Sequence, residues 1–338
     1  MGKKGATQAT SMKDVARLAG VSTMTVSRAM RSPDSVSPHV LANVQSAITR
    51  SGYVPNRIAA SLSSNRTAVV ALIVPSLRNA LYAEMIKGIS DVLTRNNLHL
   101  MISDSGFDLT EEETLVSEYV AQRVCGIVLH NTKHTQRTTD MLRASATACV
   151  ETGNLVTNPI DMVVSYSNYA AGKAMAEHLL LLGYRTFAFA SLAVATSDRL
   201  RQRRNGFLTG LRKASISIDP ALILEVDAGL ESGARALGRI VDTNPAVDAI
   251  FFAGDVLAAG AIFECHRRGL EVPSRIAIAA SDDNDLMQNI VPPLTTVAFP
   301  RYEIGVRSAE AIVARTKGLD AGLSTVDLGF TVIQRGST

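Results

Sequence analysis

At 338 residues, with 46% hydrophobic and 19% charged side chains, the chain exceeds one small core and implies two or three packed units. Its apolar runs, such as 68–75 and 249–253, fall short of the roughly 18 to 20 residues of a membrane helix, which excludes a spanning segment. The net charge of +3 hides an asymmetry: residues 1–66 hold nine Lys and Arg against two acids, net +7, and the remainder holds 25 against 29, net −4.

A basic end attracts a polyanion, because each phosphate neutralised by Lys or Arg releases condensed counterions. Met1-Gly2-Lys3-Lys4 is followed by polar Ala-Thr-Gln-Ala-Thr rather than by the apolar segment of an export signal, so a cytoplasmic location is expected. Cys125, Cys149 and Cys265 are odd in number and sit in apolar settings, which fits reduced, buried thiols.

The first predicted helix runs over 12–19, with Met12, Val15, Ala16, Leu18 and Ala19 at helical spacing, Ser11 as N-cap and Asp14 three residues on. Gly20 permits a tight turn, Val21 anchors it, and Ser22 caps a second helix over 23–30 that buries Val26 and Ala29. Thr23, Met24, Ser27 and Arg28 then face outward. A third helix over 38–50 follows Ser37 and turns Val40, Leu41, Val44, Ala47 and Ile48 inward. Two helices about a glycine turn, the second showing short polar side chains and an arginine, make a major-groove reader. Arg28 suits guanine O6 and N7, Met24 a thymine methyl, and Ser22, Thr25 and Lys13 phosphates.

The polar run 61–66 marks a linker. Beyond it, short apolar strands (68–74, 98–103, 126–129, 148–150, 186–190, 222–226, 249–252, 276–280) alternate with amphipathic helices, the pattern of parallel sheets covered on both faces. Such a number of units exceeds one comfortable sheet, so two doubly wound lobes are expected, with a ligand held where the carboxyl ends of their strands face each other.

Lys13-Asp14-Val15-Ala16, Gly20-Val21-Ser22, Thr25-Val26-Ser27-Arg28 and Gly52-Tyr53-Val54-Pro55-Asn56-Arg57 resemble, in order and spacing, the DNA-binding domain of the lactose/galactose repressor family. The resemblance implies base contacts from Thr23, Met24 and Arg28. It also implies a hinge helix at about 55–64 in which Asn56, Arg57, Ala59 and Leu62 enter the minor groove. Pro55 can open such a helix, and Leu62 reads either as an ordinary core leucine or as a wedge between base pairs, the resemblance favouring the wedge. Residues 1–66 are therefore expected to be the DNA-binding part. Residues 67–338 are expected to form an effector and dimerisation part similar to periplasmic sugar-binding proteins, with lobe one at about 67–165 and 298–327 and lobe two at about 166–297 and 328–338. Pro75-Ser76-Leu77-Arg78-Asn79 with Tyr82, Leu182-Gly183-Tyr184-Arg185, Arg203-Arg204-Asn205-Gly206-Phe207, Asp282-Asp283 and Pro292-Pro293-Leu294-Thr295-Thr296 carry that likeness. His134-Thr135-Gln136-Arg137-Thr138, Phe263-Glu264-Cys265-His266 and Asp327-Leu328-Gly329-Phe330-Thr331 look most like gluconate-type members.

A sugar acid such as gluconate or a ketogluconate needs a cation for its carboxylate and polar partners for its hydroxyls. Arg203 offers a rigid fork and Arg78 a second cation, while Ser76, His134, Thr135 and Asp282 suit hydroxyls, with Tyr82 in the same implied site. Asp282 reads equally as a helix N-cap, and Arg199 and Arg201 read as surface arginines. The implied protein is a homodimeric repressor on operator double-stranded DNA, and the ending shows no heptad tail for a four-helix assembly. No catalytic residue, cofactor or metal is expected. His130 and His134 are spaced i, i+4 but lack the intervening Glu and read as a loop, and no phosphate loop or nucleophile elbow occurs. The alternative, a solute-binding protein for a sugar or sugar acid, accounts for two lobes and leaves the basic helices unexplained.

Overall fold

The computed structural model describes residues 10–54, 67–77, 80–195, 197–319 and 324–338. The expected hinge residues Asn56, Arg57, Ala59 and Leu62, the linker 61–66 and the loop residue Arg78 lie outside them. The chain divides into two units, Met1–Thr67 and Ala68–Thr338.

In the first unit, α1 (Met12–Ala19), α2 (Thr23–Arg31) and α3 (Pro38–Ser51) enclose Val15, Ala16, Val26, Ala29, Val44, Ala47 and Tyr53. α1 begins on a closed capping box: the Ser11 hydroxyl accepts from the Asp14 N–H, and the Asp14 carboxylate accepts from the Ser11 N–H at 3.0 Å. Gly20 ends it in the left-handed conformation, φ 68°, which turns the chain straight into the Ser22 cap of α2. Ser37 and Pro38 open α3 as cap and first helical residue. Tyr53 closes this core.

The second unit holds two six-stranded sheets. The first contains β1 (Val69–Val74), β2 (His99–Asp104), β3 (Gly126–Leu129), β4 (Ala148–Glu151), β5 (Met162–Ser165) and β11 (Thr325–Asp327), ordered β2-β1-β3-β4-β5-β11 and wholly parallel. The second contains β6 (Phe187–Ser191), β7 (Ile223–Glu225), β8 (Ala249–Phe252), β9 (Ala277–Ser281), β10 (Thr295–Ala298) and β12 (Thr331–Ile333), ordered β7-β6-β8-β9-β10-β12, with only β12 antiparallel. The two sheets thus repeat one winding, and the two-lobed doubly wound architecture is the expected one. Strands such as Val69–Val74 are apolar throughout because helices cover both faces. β5, β10, β11 and β12 escape prediction because they are short and interleave Thr, Ser and Asp with apolar residues.

Around the sheets pack α4 (Ala83–Arg95), α5 (Leu109–Ala121), α6 (Gln136–Ser145), α7 (Asn168–Leu181), α8 (Asp198–Lys213), α9 (Leu230–Thr243), α10 (Asp255–Arg268), α11 (Asp285–Asn289) and α12 (Arg301–Thr316). The chain passes from one sheet to the other after β5, β10 and β11. Three helix pairs meet backbone to backbone through reciprocal glycines. A Cβ on Gly172 or Gly206 would strike a carbonyl across α7 and α8, on Gly233 or Gly260 across α9 and α10, and on Gly88 or Gly305 across α4 and α12.

Candidate DNA-binding face and interlobe cleft

On α2 the Ser22 hydroxyl accepts from the Thr25 N–H at 3.1 Å and meets the Thr25 hydroxyl at 2.9 Å, so both side chains fix the start of the helix. Thr23, Met24 and Arg28 project into solvent, Thr25 and Ser27 are half-buried at the edge of that surface, and Lys13 is exposed on α1. Met24 is 70% exposed, a bare apolar side chain beside polar ones, which suits a base methyl group. Among the described residues no carboxylate pairs with Lys13 or Arg28, whereas Arg17 is held by Asp14 at 2.9 Å. Two cations therefore remain available to a polyanion.

In the second unit the polar residues gather where strands end. Asn168, which opens α7, donates from Nδ2 to the Gly153 carbonyl at 2.7 Å and to Asn154 Oδ1 at 3.1 Å, and its Oδ1 accepts from Arg203 Nη2 at 2.7 Å and Nε at 3.2 Å. Arg203 Nη1 donates to the Ala253 carbonyl at 2.9 Å and reaches Asp282 Oδ2 at 3.4 Å. Arg301 holds the other oxygen of Asp282. Phe299 stacks on Tyr166 with centroids 3.8 Å apart, and the Arg203 and Arg301 guanidinium carbons lie 5.2 and 5.6 Å from its centroid. Burial pushes the Asp282 carboxyl upward, but Arg301 and Arg203 outweigh it and hold it below the usual carboxylate range. The neighbouring Asp255 has burial and the Asp282 charge acting together and is pushed up to about 6.

A second set of contacts spans the lobes. Asp198, the first residue of α8, accepts on Oδ2 from the Thr132 hydroxyl and from Asn154 Nδ2 at 3.1 Å, both carried by loops that follow strands of the first sheet. Tyr82 is buried, with its ring edge-on to His130 at 4.8 Å and its hydroxyl beside Arg199. His130 donates or accepts at Thr152 Oγ1 over 2.8 Å; burial, with Arg199 and Arg301 nearby, holds it well below its ordinary pKa.

The structure thus brings Tyr82, Arg203 and Asp282 into one cleft and leaves Ser76 half-buried in the turn after β1. Asp282 is not a helix cap, since Asn284 caps α11. His134 and Thr135 need correction as hydroxyl partners. His134 Nδ1 is held by Glu112 at 2.5 Å and Nε2 faces Glu151 at 3.4 Å, both acids buried, while Thr135 caps α6 and donates to Glu113 at 2.6 Å. Burial opposes the imidazolium, but the two carboxylates raise His134 to about 9, so both residues are committed within lobe one. Arg199 also needs correction: it lines the cleft with Pro75, Ser105, Asn131 and Ser197 instead of lying on open surface. Asn154, Asn168, Asp198, Phe299 and Arg301 are cleft residues that the sequence patterns do not single out. The signal they share is a polar or aromatic residue just after a strand or at a helix start. Among the described residues no cluster of three His, Cys, Asp or Glu has metal-binding geometry, and no helix is long and apolar enough to cross a membrane.

A basic helix-turn-helix unit with a two-lobed cleft domain is the build of a DNA-binding transcription regulator, and comparisons with known proteins agree. Residues 11–56 match bacterial regulatory proteins of the lacI family, and residues 176–338 match the periplasmic binding protein-like domain. The chain is 35% identical over 329 residues to the HTH-type transcriptional regulator GntR of Pseudomonas aeruginosa, covering 97% of this chain and 95% of that protein. Its Escherichia coli counterpart is 30% identical over 96% and 98% of the two chains. A crystal structure of a LacI family transcriptional regulator from Silicibacter pomeroyi superimposes with a TM-score of 0.91 at 30% identity, covering 97% of this chain and 99% of that one. The chain belongs to the lacI family of bacterial regulatory proteins.

Proposed function

We propose that the protein is a cytoplasmic repressor of sugar-acid catabolic genes that binds a near-palindromic operator as a homodimer and leaves it when a gluconate-like acid enters the cleft. The observation that carries the DNA half is the α2 surface: Thr23, Met24 and Arg28 stand exposed on a helix start fixed by Ser22 and Thr25, in the basic part of the chain. In this reading Thr23, Met24, Ser27 and Arg28 meet base edges, Lys13, Ser22 and Thr25 meet phosphates, and 55–64 forms the minor-groove hinge with Asn56, Arg57, Ala59 and Leu62. The acid half draws support from three arginines, Arg199, Arg203 and Arg301, in one cleft, and from relatives named GntR and IdnR at 30–35% identity. The solute-binding alternative does not account for the first unit.

Fluorescence anisotropy with fragments of the genome of origin tests this. The expected result is tight binding to a two-fold symmetric site, weakening steeply with salt, and release by D-gluconate or a ketogluconate. Linkage requires that the acid lower operator affinity by the factor by which operator lowers affinity for the acid, so binding that shows no such reciprocity overturns the release scheme. Salt-insensitive or absent DNA binding overturns the whole reading.

A further inference from the structure

A sugar-acid effector leaves open which side chains meet it; the unfilled valences of the cleft supply the answer. Arg203 and Arg301 are committed, the first to Asn168, the Ala253 carbonyl and Asp282, the second to the same Asp282. Arg199 differs: among the described residues no carboxylate forms an ion pair with it, and it stands in the recess beside the Tyr82 hydroxyl. Two buried acceptors of the same cleft have no hydrogen-bond partner among the described residues, His130 Nε2 and Asp198 Oδ1, on side chains of residues 2% and 7% exposed. The Thr152 hydroxyl reaches the Leu129 carbonyl at 3.3 Å, so its oxygen accepts from His130 Nδ1–H and leaves Nε2 as a bare lone pair. Asp198 uses Oδ2 on Thr132 and Asn154, and Oδ1 is left over.

These groups converge on Gly153. A Cβ there would lie 3.0 Å from Arg199 Cδ and 3.2 Å from His130 Nε2, and Asn154, the next residue, carries the bond to Asp198. The absent side chain, at φ +95°, is what lets Arg199 and His130 pack this close to the backbone. One cation and two lone acceptors drawn together in the cleft define what they would bind: an anionic group attached to two O–H donors. Building on the sugar-acid reading, we propose that Arg199 takes the effector carboxylate and that His130 Nε2 and Asp198 Oδ1 each accept a hydrogen bond from an effector hydroxyl, with Arg203 and Arg301 acting only to position the cleft walls. The ligand class is then a polyhydroxy monocarboxylic acid whose carboxylate and free hydroxyls are both required.

Calorimetric titration of the full-length protein with D-gluconate, D-gluconamide and hexanoate tests this, with the thermal midpoint recorded for every variant. Wild type is expected to prefer gluconate over the neutral amide by about tenfold or more, the size of a lost charge-assisted pair, and to ignore hexanoate. Arg199→Gln should erase that preference and Arg199→Lys should restore part of it. His130→Phe should weaken gluconate and gluconamide alike and keep the preference, and, should His130→Phe unfold, Gly153→Ala should weaken both by displacing Arg199 and His130. A preference that survives Arg199→Gln overturns the assignment and leaves the sugar-acid reading standing, whereas hexanoate binding as tightly as gluconate overturns both. Wild type that binds no gluconate overturns that reading and the assignment together.

Discussion

The DNA-reading face and the cleft solve opposite problems. On α2 Thr23, Met24 and Arg28 are exposed and close in sequence, Arg28 has no ion-pair partner among the described residues, and this surface waits for charge and groove from outside. In the cleft they are buried, drawn from positions as distant as Asn154 and Arg301, and satisfied by one another, apart from a few valences. A surface that recognises a polyanion can leave its cations in water at little cost. A recess that recognises a small molecule must first neutralise its own charges, so most of its polar residues are scaffolding and the ligand meets the remainder.

This contrast predicts where substitutions hurt. Asp282→Asn removes the one carboxylate between two buried guanidinium groups at a φ of 77° that Asn tolerates, and should destabilise the second unit by about 3–5 kcal/mol, read from its urea midpoint. An unchanged midpoint would mean that the pair is not charged as described. His134 comes next. Its pKa in the fold is raised to about 9, burial being outweighed by Glu112 and Glu151. Its contribution is therefore complete below about pH 6.5 and fades as pH rises through 9, a loss of about 3 kcal/mol that His134→Gln should flatten in denaturant titrations across that range. On the exposed side, Arg28→Ala should cost about 1–3 kcal/mol of operator affinity and relax choice at one base pair, without moving either unfolding transition. The smallest effect is at the cap: Ser22→Ala should destabilise the first unit by about 1 kcal/mol, seen in its own melting and not in effector binding.

The same contrast explains how much of the molecule is legible in its sequence. Helices α1 to α3 and their outward residues follow from local spacing and caps, and Gly20 and Ser22 nearly dictate the turn. The doubly wound lobes follow from apolar runs. The cleft network does not: Asn168 has no reason to be singled out until Arg203 and Gly153 are seen against it, and Arg301 looks like any helix start until Asp282 faces it. His134 misleads because a histidine in a loop after a strand looks available, whereas Glu112, 22 residues earlier, has already claimed it. Arg199 misleads for the converse reason, being one of four arginines within 199–204 whose directions the sequence does not separate.

The reciprocal glycines between helix pairs bear on any attempt to re-aim this protein at another metabolite. Gly172 lies four residues from Asn168 and Gly206 three from Arg203, so a library that randomises the cleft by segments will also hit the seams where helices touch without side chains. Even alanine there forces two backbones apart and tilts the walls before any new ligand is tried. A sensor evolved from this scaffold should therefore vary the loop-borne residues around Gly153 and keep the six seam positions fixed.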